Sequence, residues 1–216
     1  MLYKSVMENF KNKYNVSRET LKKISNFITV LKEWQSKMNL VSPQSINEIW
    51  TRHIADSYQL FQFINIDTKT VYDIGSGAGF PAIILAIAAQ CANYETRFSL
   101  IESITKKTVY LNDVKEKLSL KNVDIYNARS ESLKLKPADI ITARAVAALD
   151  KLFELSYTLA NKKTVFYFLK GQSYKEELEQ AKKHWHFKTE VIQSSTSENG
   201  VILKITELEK KKGRKK

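Results

Sequence analysis

The first 60 residues carry apolar side chains at helical spacing. From Ser17, a residue type typical of helix N-caps, apolar residues recur every three or four positions up to Trp34, with lysines on the opposite side. A second stretch, from about 45 to 63, repeats this pattern, and a linker at 38–43 joins the two. The pattern predicts an N-terminal helical extension over residues 1–66.

The pattern changes after Asp67, where short β-branched or aromatic runs alternate with helical segments. Seven strands are predicted, at 70–74, 97–101, 123–126, 138–143, 164–169, 187–193 and 200–205. The predicted helices cover 80–90, 106–118, 148–159 and 174–184. Alternation of this kind predicts an α/β fold over residues 67–208, with a mostly parallel seven-stranded sheet and helices on both faces. The last two strands are expected to form an antiparallel pair.

The net charge indicates a polyanionic partner. The 216 residues include 35 Lys and Arg against 23 Asp and Glu, a formal charge of +12. Nucleic acid is the first candidate and an acidic membrane surface the second. Residues 209–216 are expected to form a basic tail, disordered by self-repulsion, that is either simply solvated or an arm for phosphate groups.

Disulfide-linked, metal-binding and membrane-spanning proteins are not expected from this sequence. The single cysteine, Cys91, excludes an internal disulfide and a cysteine-rich zinc module, and we expect it to be a buried apolar residue. His184 and His186 have no third ligand nearby in the sequence, so no metal site is expected. The longest apolar run, 80–89, is too short for a bilayer, and no signal-peptide pattern opens the chain. The protein is therefore expected to be cytoplasmic and unanchored.

A glycine-rich loop is the most informative motif, and it reads VYDIGSGAGFP from Val71 to Pro81. Glycine is needed where a backbone turns sharply and approaches a ligand, and the helix that follows offers free N–H groups to a negative group. The spacing is neither the dinucleotide fingerprint nor a P-loop. An acidic residue two positions before three alternate glycines is typical of the first motif of S-adenosylmethionine-dependent methyltransferases. Its cofactor-binding candidates are Asp73, Gly75, Gly77 and Gly79, and the alternative is a plain strand–helix turn.

Glu102 ends the second predicted strand. An acidic residue at this place can accept hydrogen bonds from both ribose hydroxyls of a nucleoside. Alone it would be an exposed strand-end charge. Together with the glycine loop it is a candidate cofactor ligand.

Four stretches together resemble the glucose-inhibited division protein B family, the bacterial small-subunit ribosomal RNA guanine-N7 methyltransferases. They are MNLV at 38–41, RHIADS at 52–57, the glycine loop at 73–81, and TARAVA at 142–147. The resemblance extends from about residue 20 to 205. The segments at 52–57 and 143–147 are more specific than the glycine loop. The family often has a glycine after its Phe-Pro pair and a proline slightly later, where this chain has Ala82, Ile83 and Ile84.

The resemblance implies a Rossmann-like class I methyltransferase that is a monomer and uses S-adenosyl-L-methionine. It implies methyl transfer to N7 of a guanine in 16S ribosomal RNA, either free or in a small-subunit precursor particle. The alternatives are an enzyme acting on another RNA or a small molecule, and a ribosome-binding protein without activity. Guanine N7 carries no proton, so catalysis is expected to be mainly positioning.

The resemblance also implies roles for individual residues. Gly75 and Phe80 match cofactor contacts, and Ser130 and Glu131 match a pair beside the adenine. Arg144 matches an arginine at the mouth of the cofactor pocket, where it either acts at the boundary with the substrate or bridges a strand end to the cofactor carboxylate.

The extension holds three candidate RNA contacts, Asn39, Arg52 and His53. Asn39 could read a base edge. Arg52 and Asp56 are four residues apart and can pair on their helix. Either this pair fixes the helices against the sheet, or Arg52 and His53 contact RNA or support the substrate entrance.

Overall fold

The computed structural model of the protein describes residues 2–212. Its helices are α1 (Leu2–Tyr14), α2 (Arg18–Gln35), α3 (Pro43–Asn47), α4 (Asp56–Tyr58), α5 (Ala82–Cys91), α6 (Thr105–Lys117), α7 (Leu149–Ser156) and α8 (Tyr174–His184). Its strands are β1 (Thr70–Ile74), β2 (Arg97–Glu102), β3 (Val123–Asn127), β4 (Ile140–Arg144), β5 (Val165–Lys170), β6 (Trp185–Gln193) and β7 (Val201–Lys210).

The seven strands form one sheet in the order β3-β2-β1-β4-β5-β7-β6. The first five are parallel, and β7 runs antiparallel to both β5 and β6. This confirms the predicted sheet and its antiparallel final pair. The strand order reverses between β1 and β4, and ligands of open α/β sheets bind outside the carboxyl ends of the strands at such a point.

Helices cover both faces of the sheet, as predicted. Alternate residues of β5 enter different cores, because side chains of a strand point to opposite faces in turn. Phe166 and Phe168 pack with α7 and α8, whereas Tyr167 and Leu169 belong to the core that contains α5 and α6.

The N-terminal helices extend the core on the α5 and α6 side. Ser17 caps α2, as predicted, by accepting a hydrogen bond from the Thr20 N–H at 3.1 Å. Phe27 lies in edge contact with Phe80 of the glycine loop, at 5.4 Å between ring centroids. The Trp34 indole donates to Asp113 of α6 at 2.7 Å. The extension therefore rests directly on the elements that follow β1 and β2.

The stretch predicted as one helix over 45–63 is several short ones. Helix α3 begins at Pro43, and a π-helical turn (Trp50–Ala55), α4 and a 3₁₀ turn (Gln59–Phe63) follow. Trp50, Ile54 and Tyr58 are four residues apart and are all buried, as one face of a helical segment. π turns are frequent at functional sites.

The predicted tail begins too early. Strand β7 continues to Lys210, which pairs with Trp185 and places its ammonium 5.3 Å from the Trp185 ring centre. The Lys211 N–H then donates to the His184 carbonyl at 2.9 Å. These contacts outweigh the repulsion between neighbouring lysines. The rest of the predicted tail, 213–216, lies outside the described residues.

Candidate active site

A cleft of about 1540 Å³ opens at the carboxyl ends of the parallel strands. Its walls are the glycine loop after β1, the residues after β2 and β4, part of the extension between 40 and 56, and the β6–β7 loop between 194 and 201. Distant parts of the chain therefore enclose one space at the reversal point of the sheet.

The glycine loop has a backbone that other residues adopt only at a cost. Gly75, Gly77 and Gly79 have φ of +65°, +52° and +88°. A Cβ at Gly75 would lie 2.8 Å from a methyl of Val146, and a Cβ at Gly79 would lie 2.7 Å from Ile83. These two positions are restricted to glycine by both backbone and space.

Glu102 lies against this loop rather than in solvent. Its side chain accepts hydrogen bonds from the Gly77 N–H at 2.9 Å and the Ile104 N–H at 2.8 Å. The residue is only 5% exposed. Each carboxylate oxygen keeps further acceptor capacity toward the cleft, as a ribose ligand requires.

Asp73 lies beneath the loop with an incompletely satisfied carboxylate. Its Oδ1 accepts from the Thr142 hydroxyl at 2.7 Å, while Oδ2 is buried and has no hydrogen-bond partner among the described residues. Burial raises the pKa of Asp73 to about 7, although the Thr142 hydroxyl and the Arg144 charge both oppose the shift. Asp73 does not line the cleft, whereas Glu102 and the glycine turn before α5 do, and these two fit the ribose and the backbone approach of S-adenosylmethionine.

Arg144, the last residue of β4, is held by the extension. Its guanidinium donates to the Arg52 carbonyl at 3.0 Å, to Asp56 at 3.3 Å and to His53 Nδ1 at 2.7 Å. It also lies over the Phe80 ring at 4.8 Å from the centroid. A guanidinium has five N–H groups, so two remain without a partner among the described residues, and Arg144 lines the cleft.

His53 is a buried, neutral partner of this guanidinium. A guanidinium only donates, so Nδ1 accepts and the ring proton is on Nε2. Burial, with smaller contributions from the Arg144 and Arg52 charges, lowers the pKa of His53 to about 3. The ring stacks on Phe80 at 4.9 Å between centroids. His53 therefore joins the extension to the glycine loop.

The ion pair that Arg52 and Asp56 could form on their helix is not present. Asp56 faces the buried Arg144, while the exposed Arg52 approaches Glu48 at 3.7 Å. The buried guanidinium has the greater need of a counter-charge, because it has lost its hydration. Asn39 is exposed on the linker.

Ser130 and Glu131 follow β3 as a short 3₁₀ turn and do not line the cleft. Ser130 is buried and its hydroxyl donates to the Glu131 carboxylate at 3.2 Å. The pair lies beside the end of β2, since the Ala128 N–H donates to the Glu102 carbonyl at 3.2 Å.

Two residues of the site were not predicted. Gln59 donates to Asp56 and to Ser194, and it accepts from the Ser195 N–H at 2.9 Å. Thr196 donates to Asp56 at 2.9 Å. The contacts to Ser194, Ser195 and Thr196 join residues more than 130 positions apart, so no local pattern indicated them.

No group of three or more His, Cys, Asp or Glu side chains within residues 2–212 could hold a metal ion. In the same part of the chain, none of the helices combines the length and apolar character of a membrane span.

The strand order, the reversed β7 and the glycine loop at the reversal point define a Rossmann-like methyltransferase. Solved structures with this fold include an O-methyltransferase from Bacillus cereus in complex with SAH, at a TM-score of 0.56 and 17% identity over 84% of this chain and 90% of that one. A ribosomal protein L11 methylase from Lactobacillus delbrueckii has a TM-score of 0.55 and 13% identity over 70% of this chain and 76% of that one.

The family model GidB, described as rRNA small subunit methyltransferase G, matches residues 20–206, and the chain belongs to that family. Ribosomal RNA small subunit methyltransferase G of Gluconobacter oxydans is 40% identical over 90% of this chain and 97% of its own. The protein of that name from a Ruegeria species is 39% identical over 91% of this chain and 95% of its own. The expected S-adenosylmethionine-dependent methyltransferase of small-subunit ribosomal RNA is confirmed, and guanine N7 follows from the family.

Replacing Gly75 by alanine should weaken S-adenosylmethionine binding at least tenfold. The position has a left-handed backbone, which costs an L residue about 1–2 kcal/mol. The new Cβ would also push Val146 out of place. Titration calorimetry measures the affinity. Gly171→Ala is the control, because Gly171 lines the same cleft with nothing within 4 Å of an added Cβ. Equal affinities of the two variants would contradict this account of the loop.

The buried Asp73 should make the free protein less stable as pH rises from about 4 to 7. The folded-state pKa is about 7 against 3.8 for the ordinary group, so the native state binds the extra proton in that range and the stability this provides is lost toward pH 7. Relative to the wild type, the free energy of unfolding of Asp73→Asn should increase on the order of a few kcal/mol as pH rises over this range. Urea unfolding at several pH values measures it, with the exposed Asp67→Asn as control. A difference independent of pH would refute this.

Proposed function

We propose that the cofactor binds along the carboxyl ends of β1 and β2 and that the extension holds the RNA base against it. The carrying observation is that the glycine loop, Glu102, Arg144 and His53 line one cleft. Gly75, Gly77, Phe80 and Glu102 hold the cofactor from the lining of the cleft, and Asp73 and Gly79 hold the loop in shape behind it. Ser130 and Glu131, which lie beyond the end of β2, flank the adenine of the cofactor.

When bound, S-adenosylmethionine supplies a methyl group on a positively charged sulfur, and its C–S bond breaks as the lone pair of guanine N7 forms the new N–C bond. The attacking nitrogen loses no proton, so the chain has no need of a general base. Its task is to hold N7 in line, at roughly 3 Å from the methyl carbon.

Arg144 acts at the boundary between cofactor and base. Asp56 at 3.3 Å balances its charge, so the guanidinium can direct its two remaining N–H groups without strongly repelling the cationic product ring. Phe80 beneath the guanidinium and His53 beside it fix its plane. His53 is therefore a supporting residue, and Arg52 and Asn39, both exposed, are the residues that contact RNA.

The RNA substrate also indicates the compartment in which the protein acts. Ribosomal RNA is a cytoplasmic partner in bacteria, and we propose that the protein acts there as a monomer. Sedimentation of the protein alone and with small subunits tests the monomer.

Methylation of small subunits from cells that lack this protein tests the function. The protein and S-adenosylmethionine should make one guanine of 16S RNA sensitive to borohydride and aniline, which cleave at N7-methylguanine. Deproteinised 16S RNA, tested in parallel, shows whether the free RNA or the particle is the substrate. Absence of cleavage in both would overturn the proposal.

Arg144→Lys should lower kcat/KM for the RNA by about 100-fold and leave cofactor affinity within about threefold, because a lysine cannot hold the three partners of the guanidinium at once and the base is misplaced. Single-turnover rates and calorimetry measure the two quantities. Arg97→Lys is the control, since its exposed ion pair with Asp124 survives as a lysine pair. A loss confined to cofactor affinity would instead assign Arg144 to the cofactor carboxylate.

A further inference from the structure

Four carboxylates line the cleft, and they differ in how far they are already satisfied. Glu102 accepts two backbone N–H groups, and Asp56 accepts from Arg144, Thr196 and Gln59. Glu177 binds Lys170 at 2.6 Å and also accepts from the Leu149 N–H and the Ser173 hydroxyl. These three carboxylates build the walls of the cleft.

Glu48 is the fourth carboxylate, and no hydrogen-bond donor within residues 2–212 reaches its oxygens. The nearest cation, Arg52 Nε, is 3.7 Å away, which is too far for a hydrogen bond. The side chain is 60% exposed. An exposed pair of this kind contributes little to stability, so Glu48 is available to a ligand.

The backbone of Glu48 is nevertheless fixed. Its N–H donates to the Ser45 carbonyl at 3.2 Å, and its own carbonyl accepts from the N–H groups of Thr51 and Arg52 at 3.1 and 2.9 Å. Glu48 thus stands between α3 and the π turn, on the wall that the extension contributes. The glycine loop and Glu102 form another wall of the same cleft.

Guanine offers a carboxylate a pattern that no other RNA base offers. Its N1–H and N2–H groups are parallel donors on one edge of the ring, and N7 is on the other edge. A carboxylate has two acceptor oxygens and can take both donors at once. Held in this way, guanine keeps N7 free, and the negative charge offsets the positive charge that the ring gains on methylation.

We infer that Glu48 recognises the target guanine, with its carboxylate accepting N1–H and N2–H while N7 faces the methyl group. Arg52 Nε, at 3.7 Å, leaves both carboxylate oxygens free to accept from the base. The inference rests on the proposed function and adds the residue that selects guanine over the other bases.

A guanine-to-inosine replacement at the mapped target tests this, because inosine lacks only the N2 amino group. Small subunits reconstituted with guanine or inosine there are compared for single-turnover rate, and for affinity in the presence of S-adenosylhomocysteine. With the wild-type protein, inosine should lower both by roughly 10- to 100-fold. The Glu48→Gln variant should bind the subunit that carries guanine about tenfold more weakly than the wild-type protein does. Replacing that guanine by inosine should lower the variant's affinity by less than about threefold further.

Glu19→Gln is the matched control, since Glu19 is an exposed carboxylate outside the cleft and the charge change is the same. It should keep the full inosine penalty. Unchanged S-adenosylmethionine affinity shows that each variant is folded. An equal inosine penalty in Glu48→Gln and wild type, or none in wild type, overturns the role of Glu48. Failure of the wild type to methylate guanine would overturn the proposed function instead.

Discussion

The site depends on the contact between the guanidinium of Arg144 and the extension. Arg144 is the last residue of β4, and its guanidinium lies 3.0 Å from the Arg52 carbonyl and 3.3 Å from Asp56. The two side chains are only 15% and 19% exposed, so removal of one partner would leave the other charge poorly compensated. This contact holds the extension, which forms one wall of the cleft, against the end of β4.

The same contact reaches the glycine loop and the β6–β7 hairpin. Phe80 lies under both Arg144 and the His53 ring, so the end of the loop is held from the extension side. Asp56 receives Thr196 of the hairpin at 2.9 Å. Four segments of the chain therefore position one another through a few polar groups, which agrees with a reaction that needs alignment rather than proton transfer.

The electrostatics of the cleft suit a substrate that becomes positively charged. The buried histidine is neutral, and the arginine is balanced by a carboxylate. Glu102 presents acceptors to the space between the walls. The strong positive charge of the whole chain is a separate property that acts at longer range and favours any polyanion, and it is weakened by salt.

The sequence alone determined the α/β class, the seven strands within a few residues, the cap at Ser17 and the glycine loop, because these follow from periodicity and local backbone requirements. The segments at 52–57 and 143–147 also indicated the family, but not how their residues meet. Only the tertiary structure decided that Asp56 pairs with Arg144, 88 positions away, and not with Arg52. It also decided that β7 continues to Lys210. Such choices depend on which groups lose water when distant segments pack, and a local pattern carries no information about that.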